Sequence, residues 1–237
     1  MYNLHSIADF FCTPRKWVMT LLIGVSLFGW LPFSQAQSAR LILRNMATQC
    51  VDNAAHDYCQ LCSTPRSDST CPMHDVCKKS IDVWAQTTEF FAMRDIKMCG
   101  CRQTSFVHGL VIPRQPITGV EDPARPESIW AFAWQVGLSK IPADELALAV
   151  NPQGQRSQDQ LHVHVVRLQQ SVQSQRQTWN ATQLDALTQV WQTAQRLAEA
   201  RGLRDYGVLI TQHPQGGYAL LVDAQSPEYQ YTQALCP

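Results

Sequence analysis

The residues best suited to chemistry sit together between Asn151 and Val166, in the run N-P-Q-G-Q-R-S-Q-D-Q-L-H-V-H-V-V. Its last part alternates, with Gln160, His162 and His164 against Leu161, Val163 and Val165. In a strand, residues two apart share a face. The pattern therefore predicts a Gln160–Leu168 strand with two imidazoles side by side and aliphatic side chains anchoring the opposite face. Just upstream, Pro152, Gly154, Arg156 and Ser157 make a polar loop whose hydroxyl, amide and guanidinium donors suit a phosphate. An imidazole beside such donors can attack phosphorus, form a phosphoramidate and split one hard step into two.

Each residue then has a predicted role beside a plainer one. His162 is the nucleophile, with a backbone carbonyl to fix its tautomer; otherwise it is structural. His164 orients the site or bonds phosphate. Ser157 donates to a phosphate oxygen, or is a turn serine. Asn151 bonds phosphate or fixes the loop. Arg156 neutralises the diphosphate, or is a solvated loop residue. Paired histidines in a strand also suit zinc, so metal is the rival reading, whereas the phosphorus scheme uses no metal and no cofactor. His108, in a predicted strand outside the run, reads as structural.

The run resembles the histidine-triad superfamily signature, His-φ-His-φ-His-φ-φ preceded by an Asn and a Gly-Ser/Thr loop. Aligned so, Gln160 takes the first histidine position, His162 the middle and His164 the third, and Ser157 falls at the phosphate-binding Ser/Thr. More narrowly, L-A-L-A-V-N-P-Q-G-Q-R-S-Q-D-Q-L-H-V-H is similar to the CDP-diacylglycerol pyrophosphatases. Phe106 to Glu121 looks like that family's strand into a P-x-x-x-I-x-G-x-E loop, Trp130 to Gln135 like its aromatic helix, and Tyr206-Gly207 like the start of its closing hairpin. The resemblance runs from about Thr88 to the C-terminus, and the segment from Arg40 to Ala85 matches poorly. It implies hydrolysis of CDP-diacylglycerol to CMP and phosphatidate through His162, with His164 assisting and Ser157, Asn151, Arg156 and Gln160 around the phosphates. Gln160 departs from the pattern. Two alternatives stand beside this: a broader nucleotide pyrophosphatase or nucleotidyl transferase, and an exported binding module without catalysis.

Several elements must position these residues. Ser38–Met46 is expected to be a short helix, and Val51–Thr70 irregular. Ile81–Met93 and Phe106–Ile112 read as strands. Pro113 to Pro126 holds four prolines and must be a stiff loop. Glu127–Leu138 reads as a helix with Trp130 and Trp134 on one face, either core or an apolar entrance for acyl chains. Glu145–Val150 is a strand before the polar loop. Asn180 or Thr182 can cap a helix whose apolar stripe is Leu184, Leu187, Val190, Trp191, Ala194, Leu197 and Ala198, ended by Gly202. Tyr206–Thr211 and Tyr218–Asp223 make a hairpin. The fold class expected is α+β, a histidine-triad-like antiparallel sheet with helices on one face and a disulfide-stapled N-terminal part.

Arg15 and Lys16, the apolar run Trp17 to Phe33 and Ser34-Gln35-Ala36 read as a secretory signal over residues 1–36. The apolar run is also at the lower limit for crossing a bilayer about 30 Å thick, so a retained inner-membrane anchor is the alternative. Either way residues 37–237 are expected to be one exported domain, periplasmic or facing the periplasm from the inner membrane. Nine cysteines are present, and Cys12 falls in the signal. An even remainder in an exported chain reads as disulfides, clustered in a Cys-rich part (40–101), with Cys236 tied back to an early cysteine. Zinc at Cys59, Cys62, Cys71, Cys77, His56 and His74 is the rival. Lys and Arg together number 19, matched by 19 Asp and Glu. With no basic cluster, nucleic acid is excluded as the main partner. The expected partners are the lipid-linked nucleotide and the membrane surface.

Overall fold

The structure is a computed structural model that describes residues 39–50, 83–98, 101–175 and 181–237. The expectations for the signal, for the cysteines from Cys59 to Cys99, for Val51–Thr70 and for a cap at Asn180 lie outside the described residues.

The described part opens with α1 (Ile42–Asn45), which runs into a π-helical turn at Met46–Cys50. Strands β1 (Val83–Gln86) and β2 (Phe90–Arg94) follow, then a 3-10 turn at Ile96–Met98 and β3 (His108–Pro113). Next come α2 (Ser128–Leu138), β4 (Leu146–Val150), a 3-10 turn at Gln153–Gln155 and β5 (Val163–Arg167). The last part holds α3 (Gln170–Gln175), β6 (Thr182–Leu184), α4 (Val190–Ala200), β7 (Gly207–Gln212), β8 (Tyr218–Asp223) and α5 (Pro227–Tyr231). The eight strands form one sheet in the order β1-β2-β3-β5-β4-β7-β8-β6. Every pairing is antiparallel. The α+β class holds.

Two expected elements change. Ile81–Met93 is not one strand but the β1–β2 hairpin. The Thr87 hydroxyl accepts from the backbone N–H of Glu89 and of Phe90 and closes the turn without Gly or Pro. The helix expected from Thr182 starts only at Val190, because Thr182–Leu184 pairs with β8 instead. Its stripe survives in Val190, Trp191, Ala194 and Ala198, all buried.

The two faces of the sheet differ. On one, Val163, Val165, Val111, Leu148 and Ile210 pack in a large core with Ile129, Trp130 and Ala133 of α2 and Trp191 of α4. Trp130 is fully buried, and its ring centroid lies 4.7 Å from that of Trp191. Both α2 tryptophans are therefore core residues rather than an entrance for acyl chains. The other face carries two smaller clusters. Leu43 and Met46 cover Phe91, Met93, Leu110 and Ile112 at one side, and Val172 and Tyr231 cover Ala147, Ala149, Val166 and Leu209 at the other. The expected helices on one face become long helices on one face and short ones on the other. His164 pairs with Leu110 of β3 and Ala149 of β4, one from each small cluster. A polar site thus sits between two apolar ones, on the face opposite the main core.

Candidate active site

Val163 and Val165 point into the main core, so His164 must point away from it. His162 precedes β5 and lies on the same side, with its ring centroid 4.8 Å from that of His164. The alternation read from the sequence therefore holds in space. His162 Nδ1 lies 2.7 Å from the carbonyl oxygen of Gln160. A carbonyl only accepts, so Nδ1 carries the proton and Nε2 the lone pair. Burial holds the His162 pKa below the ordinary value. The ring is neutral near pH 7, with one nitrogen fixed and the other free to react.

His164 is pushed down to about 3, first by burial, against the attraction of Glu228. Its Nε2 lies 3.3 Å from Glu228 Oε2 and 3.4 Å from Asn151 Nδ2. A carboxylate only accepts, so the neutral ring presents Nε2–H to Glu228. Asn151 Nδ2 donates to the same Oε2 at 2.7 Å, and Asn151 Oδ1 accepts from Ser226 Oγ at 2.6 Å. Asn151 is thus held at both ends of its amide.

Glu228 joins this site to a third histidine, His108. Its Oε1 lies 3.1 Å from His108 Nε2 and also pairs with Lys97 Nζ. His108 Nδ1 lies 2.9 Å from Asp95 Oδ2, and its ring centroid is 5.2 Å from that of His164. Burial disfavours the charged His108 ring, but the carboxylates of Asp95 and Glu228 outweigh it and raise the pKa. Burial likewise opposes ionisation of Asp95, yet His108 holds its carboxyl at about 2. Glu228 is held well below its ordinary value, against burial, by His164, His108 and Lys97. Burying one ion costs several kcal/mol unless it is paired. Here two carboxylates, an imidazolium and an ammonium neutralise each other. Asp95, His108 and His164 are close enough to hold a metal ion. Both His108 nitrogens, however, already face carboxylates.

The loop between β4 and β5 is braced from several directions. The Asp205 carboxylate accepts from Gln153 N and Gly154 N, both at 2.8 Å. Arg156 pairs bidentately with Glu121 at 2.6 and 2.7 Å and reaches Asp159 at 3.3 Å. A Cβ on Gly119 would lie 2.1 Å from Arg156 Nη1, so a larger residue there would push the ends of the Arg156 and Glu121 side chains from their present places. Arg40 and Arg44 bind Asp159 from the N-terminal side, and Gln158 accepts from Leu43 N at 3.1 Å. The N-terminal helix is therefore bolted to the loop.

Gln160, fully buried, donates through Nε2 to the carbonyls of Pro113 and Gln115 at 3.0 and 2.8 Å. It fastens the loop to the proline-rich segment.

A cavity of about 330 Å³ opens over the histidines. Ile42, Leu43, Met46, Met93 and Leu110 give it an apolar wall. Asn151, Ser157, His162, His164, Glu228 and Lys97 give it a polar end. The structure thus brings together four of the residues singled out in the sequence: His162, His164, Ser157 and Asn151. It places Arg156 and Gln160 at a small neighbouring recess instead. Sequence reasoning missed Asp95, Lys97 and Glu228, and it did not connect His108 to the site. Ser226-Pro227-Glu228 does read as an N-cap with Pro at the first helical position. Nothing in that signal tells where the helix docks.

Residues 102–206 match the family model for CDP-diacylglycerol pyrophosphatase. Over these residues the chain is similar to the CDP-diacylglycerol pyrophosphatase family. A protein of that name from Mycobacterium tuberculosis is 39% identical over 67 residues, covering 24% of this chain and 26% of the relative. A probable one from Mycobacterium leprae is 36% identical over 67 residues, 24% of this chain and 25% of its own length. One from Yersinia pestis is 36% identical over 76 residues, 27% of this chain and 30% of its own. The aligned part thus spans under a third of these relatives. Asp95, Lys97 and Glu228 lie outside residues 102–206. The disulfide Cys101–Cys236 ties together the two flanks that carry them, so Cys236 does pair with an earlier cysteine.

Proposed function

We propose that the chain hydrolyses the pyrophosphate bond of CDP-diacylglycerol, giving CMP and phosphatidate. The observation that carries this reading is the fixed tautomer of His162, which leaves a neutral Nε2 beside the cavity shared with Ser157. The family supplies the substrate.

In this histidine-triad-like scheme, His162 Nε2 attacks the cytidylyl phosphorus. The bond to the bridging oxygen breaks, and phosphatidate leaves with its electron pair. A water then attacks phosphorus, the P–N bond breaks, and CMP is released with the imidazole restored. Ser157 donates to a phosphate oxygen. His164, Asn151 and Glu228 hold the surroundings of His162. No cofactor enters the scheme. The setting proposed is the periplasmic side of a membrane, where the lipid-linked substrate lies. The Cys101–Cys236 bond suits such an oxidising compartment.

The test is hydrolysis by the purified chain of CDP-diacylglycerol, CDP-choline and ADP-ribose. CMP and phosphatidate should form, with CDP-diacylglycerol preferred. Equal turnover of all three would favour a broader pyrophosphatase, and no turnover of any would refute the reading.

A further inference from the structure

A diphosphate entering beside His162 meets two carboxylates, Asp95 and Glu228, which line the same cavity. It needs a cation. Arg156 is engaged by Glu121 and Asp159 and faces the other recess. Among the described residues lining the cavity, Lys97 is the only Lys or Arg. It stands on the 3-10 turn after β2, and its side chain is 24% exposed. Its ammonium pairs with Glu228 Oε1, donates to Tyr229 Oη at 3.4 Å and lies 4.9 Å from the centre of that ring. Glu228 in turn touches His164, whose ring neighbours His162. The cation is thus three contacts from the reacting imidazole.

The geometry points to Lys97 as a substrate-binding residue that turns from Glu228 to a phosphate group when a nucleoside diphosphate ester enters. This rests on the hydrolase reading above and deepens it. A lysine ammonium is a compact charge with three donors on a flexible stem, so it can move between anions. Its departure does not strand Glu228. That carboxylate keeps His108 Nε2 and Asn151 Nδ2 as partners, at 3.1 and 2.7 Å. The rival role is structural: Lys97 merely masks the Glu228 charge.

The two roles separate in a calorimetric titration of the full, oxidised chain with CDP. Lys97→Met should weaken CDP about 10–100-fold, the scale of a lost hydrogen bond to a charged group. Lys97→Arg, which keeps the charge, should stay within about tenfold of the parent chain. The double variant Lys97→Met/Glu228→Gln removes the mask and the charge it masks, and it should remain as weak as Lys97→Met. It also carries the test if the single variant misfolds by near-UV circular dichroism. Parent-like affinity in Lys97→Met, or affinity restored in the double variant, overturns the assignment while leaving the hydrolase reading intact. A parent chain that does not bind CDP overturns both.

Discussion

Glu228 and His108 lie 120 residues apart in sequence and 3.1 Å apart in space, Oε1 to Nε2. That contact joins the C-terminal helix α5 to strand β3. With Asp95, Lys97, Asn151 and His164 it makes one buried network under His162. Gly207 permits the approach of α5, since a Cβ there would lie 2.4 Å from the Pro227 side chain and 2.6 Å from the Val150 carbonyl.

Glu228→Gln should therefore hurt more than a surface change. It keeps the shape but leaves His108 and Lys97 without their shared anion. Removing one partner of a buried pair costs about 3–5 kcal/mol. Urea denaturation should show a loss on that scale, and turnover should fall with it. An unchanged denaturation midpoint would mean that the network contributes nothing.

The pH dependence has two parts. His162 and His164 are held below their unfolded value of 6.5. The unfolded chain therefore takes up their protons first, and stability falls as pH drops below about 6.5, down to about 3 for His164. His108 runs the other way. Its raised pKa adds stability that is complete below 6.5 and is lost as pH rises through its folded value. The depressed carboxyl of Asp95 adds stability that is lost as pH falls from 3.8 toward about 2. His164→Asn should thus flatten the fall in melting temperature between pH 6.5 and 4, where the carboxylates are still ionised. An identical slope in the variant would contradict a neutral His164. For activity, the acid limb of kcat/KM should lie below pH 6.5, since His162 must stay unprotonated.

Gln160→His restores the histidine expected at the first triad position. One ring N–H replaces an amide that serves the carbonyls of both Pro113 and Gln115. Activity should be kept or raised, with about 1 kcal/mol of stability lost for the missing bond. Loss of turnover in a well-folded variant would show that Gln160 has a role of its own.

The period-2 alternation from Gln160 to Val165 was legible because one face had to enter the core. The proline-rich loop, α2 and the β7–β8 hairpin were legible from local chemistry. What stayed hidden was non-local. Thr182–Leu184 joins a sheet edge because β8 is there to pair with it, and its helical apolar spacing yields to that pairing. Asp95, Lys97 and Glu228 are isolated charged residues in no motif. They become a site only when the Cys101–Cys236 bond and the docking of α5 bring the two flanks together. Arg156 looked like a phosphate ligand because its partner Glu121 lies 35 residues upstream.

The central claim is that His162 becomes covalently bound to the nucleotide. The direct measurement is rapid quenching, without acid, of the full chain mixed with CDP-diacylglycerol labelled in the cytidylyl group. Peptide mapping then locates the label. It should appear on the peptide containing His162 and vanish in His162→Ala, which should lose nearly all hydrolysis. Ser157→Ala and His164→Ala should keep a measurable remainder, because loss of one phosphate-stabilising donor costs roughly 10²–10³ in rate. If the protein never carries label and His162→Ala turns over at a near-normal rate, the histidine-nucleophile account is wrong.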